Sequence, residues 1–183
     1  MKFATIKKFD IANGPGARTC LFVSGCTHAC PGCFNYEAWD FEFGNEFTKE
    51  VEDDIIESLK PTYVRGLTLL GGEPMEPSNQ RALAPFLRRV RKAFPHKSIW
   101  VFTGDLLENL QNEQSRRHTE ETQSILECID VLVDGPFVKD LYDITLRFRG
   151  SSNQRIIDMP KTLEAGHVVL WEDEEMYASH KLA

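Results

Sequence analysis

The sequence predicts an α/β fold with a mostly parallel β-sheet, either an open doubly wound sheet or part of a (β/α) barrel. Short apolar runs of strand length alternate along the chain with segments of helical periodicity. Turn-rich segments with glycine, proline or cysteine follow the apolar runs, so they fall at the carboxyl ends of the predicted strands. In such folds the chemistry gathers at that edge of the sheet, where we expect the functional site.

Five apolar or β-branched runs have the length of a strand and are predicted to be mostly buried. They cover residues 19–24, 66–70, 98–102, 129–133 and 167–171. The first four are followed by the segments GCTHACPGC, GGEPMEP, TGD and DGPF. These four segments are therefore the candidates for a functional site.

Helical patterns lie between the strands. The first predicted helix follows Thr48, whose hydroxyl can cap it, and ends before Pro61. The second covers residues 79–93, where Pro85 predicts a kink or a later start. Weaker helical patterns cover residues 105–111 and 122–128. The polar stretch QNEQSRRHTEE that joins these two is predicted to be a solvated loop.

Length and composition indicate one globular domain, because 183 residues with 42% hydrophobic and 27% charged residues can form a single core. We expect a core domain at residues 1–158 and a C-terminal extension at 159–183, with a candidate edge strand and an acidic tail. A net charge of −7 argues against nucleic acid as a partner. No apolar run has membrane-spanning length and the N-terminus lacks secretory-signal features, so we expect a cytoplasmic protein without a membrane partner.

Three of the five cysteines, Cys26, Cys30 and Cys33, lie within eight residues. In a reducing compartment this tight cluster and the odd count indicate metal or redox chemistry more than a disulfide framework. Three thiolates can hold three irons of a 4Fe-4S cluster and leave the fourth iron open for chemistry. Cys20 and Cys128 lie in an apolar strand and a helix pattern, where we expect small apolar side chains and not ligands.

Two other interpretations of the cysteine loop remain open. His28 could complete a Cys3His zinc site with the three cysteines, although the C-x-H-x-C-x-x-C spacing is cramped for such a site. A redox pair of Cys30 and Cys33 would leave Cys26 without a role. A zinc site would make the protein a binding module and not an enzyme.

The C-x-x-x-C-x-x-C loop after a first strand resembles that of the radical S-adenosylmethionine (SAM) superfamily, whose core is a partial (β/α) barrel. More narrowly, five segments resemble the activating proteins of anaerobic (class III) ribonucleotide reductases. They are NGPGARTCLFVSGCTHACPGCFN, GGEP at 71–74, WVFTG at 100–104, VLVDGPFVKDL at 131–141 and RGSSNQR at 149–155. The resemblance covers about residues 9–158 in the order of the family.

This resemblance implies a radical SAM oxidoreductase with a 4Fe-4S cluster on Cys26, Cys30 and Cys33, and SAM on the open iron. Reductive cleavage of SAM would give methionine and a 5'-deoxyadenosyl radical, which removes a hydrogen atom from a glycine of the reductase. The implied partners are the catalytic subunit of the reductase and an electron donor such as flavodoxin. A small-molecule radical SAM enzyme, or an activator of another glycyl-radical enzyme, is the alternative, and VLVDGPF and RGSSNQ speak against both.

The same resemblance places SAM against two of the turn-rich segments. Gly71 and Gly72 would let backbone carbonyls approach the SAM ammonium, and Glu73 would bind there or only buttress the loop through hydrogen bonds. A plain turn after the strand would also explain the two glycines. Gly32 and Cys33 would line the adenine of SAM.

Four further residues have two interpretations each. Phe34 would line the adenine or pack in the core. Thr103 and Asp134 would bind a ribose hydroxyl or the methionine end of SAM, or else cap a helix and start a turn. Arg149, which with Arg155 frames four small polar residues, is assigned to the SAM carboxylate or to the docked reductase.

Upstream of the cysteine loop, the segment DIANGPGAR resembles the turn that leads into the first strand of glycyl-radical activators. Arg18 in this segment could bind the carboxylate of SAM or the glycine loop of the partner. A purely structural turn is the simpler interpretation.

Overall fold

The computed structural model describes residues 1–173, which form one mixed β-sheet of seven strands with five α-helices. The strands are β1 (Lys2–Asp10), β2 (Ala17–Val23), β3 (Asn45–Glu46), β4 (Val64–Gly71), β5 (Ser98–Phe102), β6 (Val131–Asp134) and β7 (Arg155–Asp158). The helices are α1 (Lys49–Ser58), α2 (Pro77–Ala93), α3 (Leu107–Gln111), α4 (Thr122–Cys128) and α5 (Met159–Ala165). The α/β class predicted from the sequence is confirmed.

The sheet is open, with the strand order β3-β1-β2-β4-β5-β6-β7. Its centre is parallel: β2 pairs with β4, β4 with β5 and β5 with β6 in the same direction. The flanking strands β1 and β7 run antiparallel to their neighbours β2 and β6. The carboxyl ends of the four parallel strands therefore meet at one edge of the sheet, as the alternation of strands and helices predicted.

Alternate residues of the central strands face two different cores. Leu67 and Leu69 of β4 pack in the large core against the helices. Thr68 and Leu70 point to the opposite face, where Trp100 of β5 belongs to a second, smaller core. This second face, which the helices leave uncovered, leads to the site described below.

The helices begin near the predicted positions. The Thr48 hydroxyl accepts a hydrogen bond from the Val51 amide at the start of α1, which confirms the predicted cap. The late start predicted from Pro85 is wrong, because α2 runs through it from Pro77 to Ala93. Pro85 and the residue four positions earlier, Arg81, are both exposed, so water can bind the carbonyl that loses its intrahelical partner.

The edges of the sheet differ from the prediction. Strands β1, β3 and β7 were not predicted, because β1 mixes lysines with apolar residues and the other two are short. The strand predicted at 167–171 is wrong as a regular strand. Its Leu170 forms an isolated bridge with Ile157 of β7, and the Trp171 amide donates to the Ile156 carbonyl.

The predicted boundary at 158 coincides with the start of α5, whose Met159 is buried in the large core. The predicted acidic tail lies only partly within the structure: Glu172 and Asp173 are described, and Glu174 and Glu175 lie outside the described residues. In residues 1–173, no helix is both long and apolar enough to cross a membrane.

Arg18 of β2 is fully buried. Its guanidinium donates to the Thr68 hydroxyl at 2.7 Å, to the Leu67 carbonyl at 2.8 Å and to both oxygens of Ser98 at 2.9 Å. It also lies over the ring of Trp100, 5.5 Å from the ring centroid. A ligand-binding or partner-binding role for Arg18 is therefore wrong, because the side chain is buried and all three of its nitrogens donate inside the sheet.

Candidate functional site

One cavity of about 840 Å³ lies at the carboxyl ends of the parallel strands. This volume is in the range of about 300–1,000 Å³ that small-molecule sites occupy. Its lining includes Cys26, Cys30 and Cys33, together with residues from the segments after β4, β5 and β6. The structure thus brings the four turn-rich segments of the sequence to a common site, as predicted.

The cysteine loop, residues 26–33, follows β2 and is folded back by backbone hydrogen bonds. The Gly25 amide donates to the Ala38 carbonyl at 2.8 Å, and the Cys26 amide donates to the Trp39 carbonyl at 3.2 Å. Within the loop, the amide of Cys33 donates to the carbonyl of Cys30 at 3.0 Å. All three cysteines are free thiols and partly exposed, so they are accessible from the cavity.

The three thiols are not gathered as closely as a bound zinc ion would hold them. Tetrahedral zinc with Zn–S bonds of about 2.3 Å needs ligand sulfurs about 3.8 Å apart. Among the histidines, cysteines and acidic residues of 1–173, one group of three has its ligand atoms within 4.8 Å of one another. It consists of His28, Glu73 and Asp105 and contains no cysteine. At least one pair of thiols is therefore wider apart, which fits a cluster because each thiolate then binds its own iron.

Two of the thiols are held in their neutral form. Burial raises the pKa of the Cys26 thiol to about 11, and burial also raises the pKa of Cys30. Because iron binds the thiolate, assembly of a cluster here must displace these protons. Metal binding at this loop is consequently expected to become more favourable as the pH rises.

Most of the residues that the sequence assigned to a cofactor line this cavity. The lining contains Gly32, Cys33, Phe34, Gly71, Gly72, Thr103 and Arg149. Glu73 and Asp134 are not in the lining of the cavity, and both are almost completely buried. The predicted set therefore divides into residues that face the cavity and two carboxylates behind its wall.

The two glycines after β4 are needed for a close approach of two segments. A Cβ at Gly72 would lie 2.7 Å from the carbonyl oxygen of Gly25 and 2.8 Å from that of Ala38. Gly71 has φ +106°, and a Cβ there would lie 2.8 Å from the backbone of Phe22. Glycine at both positions thus lets the GGEP segment pack directly against the start of the cysteine loop.

Glu73 hydrogen-bonds that segment to its surroundings. Its Oε1 accepts from the Met75 amide at 2.8 Å, and its Oε2 accepts from the Gly104 amide at 2.8 Å. Nε2 of His28 lies 2.9 Å from the same Oε2 and 3.1 Å from Oδ2 of Asp105. Interaction with the carboxylates of Asp105 and Glu73 raises the pKa of His28 to about 9, so at neutral pH its imidazolium donates from Nε2 to Glu73 and lies beside the carboxylate of Asp105.

Asp134 is held in an ion-pair network. Its Oδ1 accepts from Nε of Arg155 at 2.9 Å, and its Oδ2 accepts from the Leu107 amide at 2.8 Å. Arg155 also bridges to Glu108 of α3 at 2.7 Å. These contacts connect β6, β7 and the start of α3. Asp134 therefore holds together elements that lie behind the lining of the cavity and does not face the cavity itself.

Thr103 and Arg149 both line the cavity, Thr103 from the segment after β5 and Arg149 from the segment between β6 and β7. The hydroxyl of Thr103 accepts from the Asp105 amide at 3.1 Å in a tight turn, whereas the cap residue of α3 is Leu106. The suggested helix-capping role of Thr103 is therefore wrong. Arg149 donates from Nη1 to the Gln154 carbonyl at 2.7 Å, which holds the RGSSNQR segment in a closed loop beside the cavity.

Phe34 is 95% exposed, so the suggested core packing of its ring is wrong. The ring lies at the mouth of the cavity, one residue after Cys33. An apolar ring this exposed can be covered by whatever enters the cavity.

Sequence reasoning missed one important residue. Arg117 lies in the stretch predicted to be a solvated loop, yet it is 1% exposed. Its Nε lies 2.7 Å from Oδ2 of Asp105, and its Nη1 pairs with Glu76. The sequence does not indicate that Arg117 is buried, because an arginine among polar residues is normally exposed.

The fold and the site define the class of protein. Residues 12–157 match the family described as 4Fe-4S single cluster domain, and this range contains all three cysteines of the loop. An iron-sulfur protein with one cluster is thus the class.

Curated relatives are similar over most of the chain. The anaerobic ribonucleoside-triphosphate reductase-activating protein of Vibrio cholerae is 44% identical over 158 residues, 85% of this chain and 97% of the relative. Those of Escherichia coli (strain K12) and Enterobacteria phage T4 are 46% and 36% identical, over 79% and 85% of this chain and 90% and 93% of the relatives. The chain therefore belongs to the family of anaerobic ribonucleoside-triphosphate reductase-activating proteins.

Proposed function

We propose that this protein activates an anaerobic ribonucleoside-triphosphate reductase by forming a glycyl radical on it. The observation that carries the proposal is the position of three accessible cysteines and a glycine-lined wall around one cavity at the sheet edge. When bound, the cluster and SAM supply the radical chemistry: one electron cleaves SAM to methionine and a 5'-deoxyadenosyl radical, which takes a hydrogen atom from the glycine Cα of the reductase. The protein is then an oxidoreductase whose own residues bind the cluster and SAM and orient them towards the substrate glycine.

In this proposal Cys26, Cys30 and Cys33, which line the cavity, would each hold one iron of a 4Fe-4S cluster and leave the fourth iron without a protein ligand. Their partial exposure on a loop closed by backbone hydrogen bonds supports this role, because the thiols can reach an incoming cluster without unfolding the strand behind them. The spacing of the thiols disfavours the zinc-module alternative.

We assign the binding of SAM to the lining of the same cavity. Backbone groups of Gly71 and Gly72 are proposed to accept from its ammonium, and Gly32, Cys33 and Phe34 to line its adenine. Thr103 is placed at the ribose hydroxyls and Arg149 at the carboxylate. Glu73 and Asp134 are proposed to support these contacts from behind the wall, because their carboxylates already accept hydrogen bonds from protein groups.

We further propose that the open sheet is a partial barrel of the radical SAM type. Its four parallel strands end with β6, which antiparallel β7 follows. A sheet that stays open suits a substrate that is a loop of another protein. A flavodoxin-type electron donor and a cytoplasmic location belong to the same proposal, and the five free cysteines fit a reducing compartment.

The proposal is tested by reconstituting the full chain with iron and sulfide without oxygen and adding SAM and dithionite. Formation of 5'-deoxyadenosine and methionine is the expected result, and the Cys30→Ala variant should form neither. The proposal would be wrong if protein that carries the cluster does not cleave SAM. A small-molecule substrate would instead be indicated if SAM is cleaved but the reductase neither accelerates the cleavage nor acquires a glycyl radical.

A further inference from the structure

Arg117 is buried on the segment between α3 and α4 and is held there from α2. Nε2 of Gln80, a buried side chain on α2, donates to the Arg117 carbonyl and to the Met75 carbonyl, both at 2.7 Å. Oε1 of the same Gln80 accepts from the hydroxyls of Thr119 and Thr122 at 2.8 and 2.7 Å. The Arg117 backbone and the segment that follows it are thus fixed to the helix.

The Arg117 side chain joins two carboxylates that belong to different segments. Nε lies 2.7 Å from Oδ2 of Asp105, in the segment after β5, and Nη1 pairs with Glu76, in the segment after β4. Burial alone would raise the pKa of both carboxyl groups. Hydrogen bonds from Arg117 and Thr27 to Glu76, and from His28 to Asp105 beside the Arg117 charge, outweigh it and hold both pKa values below their usual range.

Each carboxylate in turn binds the cysteine loop. Oε1 of Glu76 accepts from the Thr27 amide and from the Thr27 hydroxyl, both at 2.7 Å. Oδ2 of Asp105 lies 3.1 Å from Nε2 of His28. Thr27 and His28 are the two residues that follow Cys26 on the way to Cys30. Arg117 is therefore one contact removed from the peptide that spaces the first two thiols.

We propose that Arg117 is a positioning residue for the cysteine loop: through Glu76 and Asp105 it fixes the loop between Cys26 and Cys30. This inference rests on the proposed function, because it assigns the loop to a cluster. A buried guanidinium with two planar N–H edges can pair with both carboxylates at once. Without it, Glu76 would lack its counter-charge and Asp105 would keep only the imidazolium of His28. Both carboxylates would then turn towards water, which would release Thr27 and loosen the contact with His28.

The test compares Arg117→Met and Arg117→Lys with matched changes at Arg89. Arg89 of α2 also pairs with two carboxylates, Glu52 and Asp53 of α1, but on the helix-covered side of the sheet. Hydrogen exchange of the full chain, with and without reconstituted cluster, is measured across residues 25–34. We expect the Thr27 amide to exchange about tenfold faster or more in Arg117→Met, because local opening becomes easier. Arg89→Met should leave this exchange unchanged.

One further readout separates positioning from a general loss of stability. The electron paramagnetic resonance spectrum of the reduced cluster should change in Arg117→Met and stay as in the wild type in Arg89→Met. Arg117→Lys should be intermediate in both measurements, because an ammonium keeps the charge but does not reproduce the fork.

Exchange at Thr27 that is equal in the Arg117→Met and Arg89→Met variants overturns the inference. If Arg117→Met does not fold, Arg117→Lys and Arg89→Lys decide, and equal exchange in these two overturns it. The exchange of the cluster-free chain needs neither SAM nor the reductase. Failure of the proposed function, which shows as absent SAM cleavage in the wild type, is therefore distinguishable from failure of this inference.

Discussion

Nε2 of His28 lies 2.9 Å from Oε2 of Glu73, so a side chain of the cysteine loop is hydrogen-bonded to a side chain of the GGEP segment. The two residues are 45 positions apart in the sequence. The same Oε2 accepts from the Gly104 amide. One buried carboxylate thus connects the segments after β2, β4 and β5, which surround the cavity.

Replacing Glu73 with Ala should destabilise the protein even without a cofactor. The change removes the acceptor of the Met75 and Gly104 amides, and buried donors left unpaired cost about 1–3 kcal/mol each. We expect the free energy of unfolding to fall by about 3 kcal/mol or more in urea denaturation. Glu73→Gln keeps an acceptor oxygen and should lose less; equal stability of Glu73→Ala and wild type would contradict this role.

Single Cys→Ala changes should separate the loop cysteines from the others. Loss of Cys26, Cys30 or Cys33 should abolish stable binding of a full cluster, measured as iron per chain after anaerobic reconstitution. Cys20 is fully buried in β2, so Cys20→Ala is the control. It should retain iron and lose only about 1 kcal/mol of stability for the missing buried sulfur. Full iron binding by Cys26→Ala would refute the ligand assignment.

Thiol labelling should depend on pH in a way set by burial. Burial raises the pKa of Cys20 to about 12 and that of Cys26 to about 11. Because the thiolate is the reactive form and a raised pKa keeps the thiol protonated, iodoacetamide at pH 8 should leave Cys20 unmodified until the protein unfolds. Labelling of Cys26 should accelerate as the pH rises towards 11. Rapid modification of native Cys20 at pH 8, read by peptide mass spectrometry, would contradict the burial.

Phe34→Ala tests the proposed contact with adenine. The ring is 95% exposed, so its removal should change the free energy of unfolding by no more than about 0.5 kcal/mol. If the ring covers bound SAM, the dissociation constant for SAM should rise about five- to tenfold, the loss of roughly 1 kcal/mol of aromatic contact. Calorimetry on the cluster-loaded protein measures it, and an unchanged dissociation constant would remove Phe34 from the SAM site.

The centre of the fold was predictable because its signals are local. The runs at 66–70 and 98–102 are mostly apolar, as is typical of strands buried on both faces, and both form parallel strands. Strand β1, which pairs with β2 and with the short edge strand β3, was not predicted because its exposed Lys7 and Lys8 break the apolar pattern. The run at 167–171 resembled a strand, but it found only a single bridge at Leu170.

The site was predictable only where its residues lie close together in the sequence. Three cysteines at close spacing identify the metal loop, since their neighbours in sequence are also their neighbours in space. Arg117 and Arg18 could not be assigned in this way, because each is defined by partners from distant segments. The role of Arg117 depends on two carboxylates that come close to it only in the folded protein. Their positions in the sequence do not predict these ion pairs.

The most direct test of the central claim is electron paramagnetic resonance of an anaerobic mixture of this protein, SAM, a reductant and an anaerobic ribonucleotide reductase. We predict a glycine-centred doublet in the reductase with the wild-type protein and none with Cys30→Ala. Absence of the doublet with wild-type protein that carries its cluster and cleaves SAM would contradict the account.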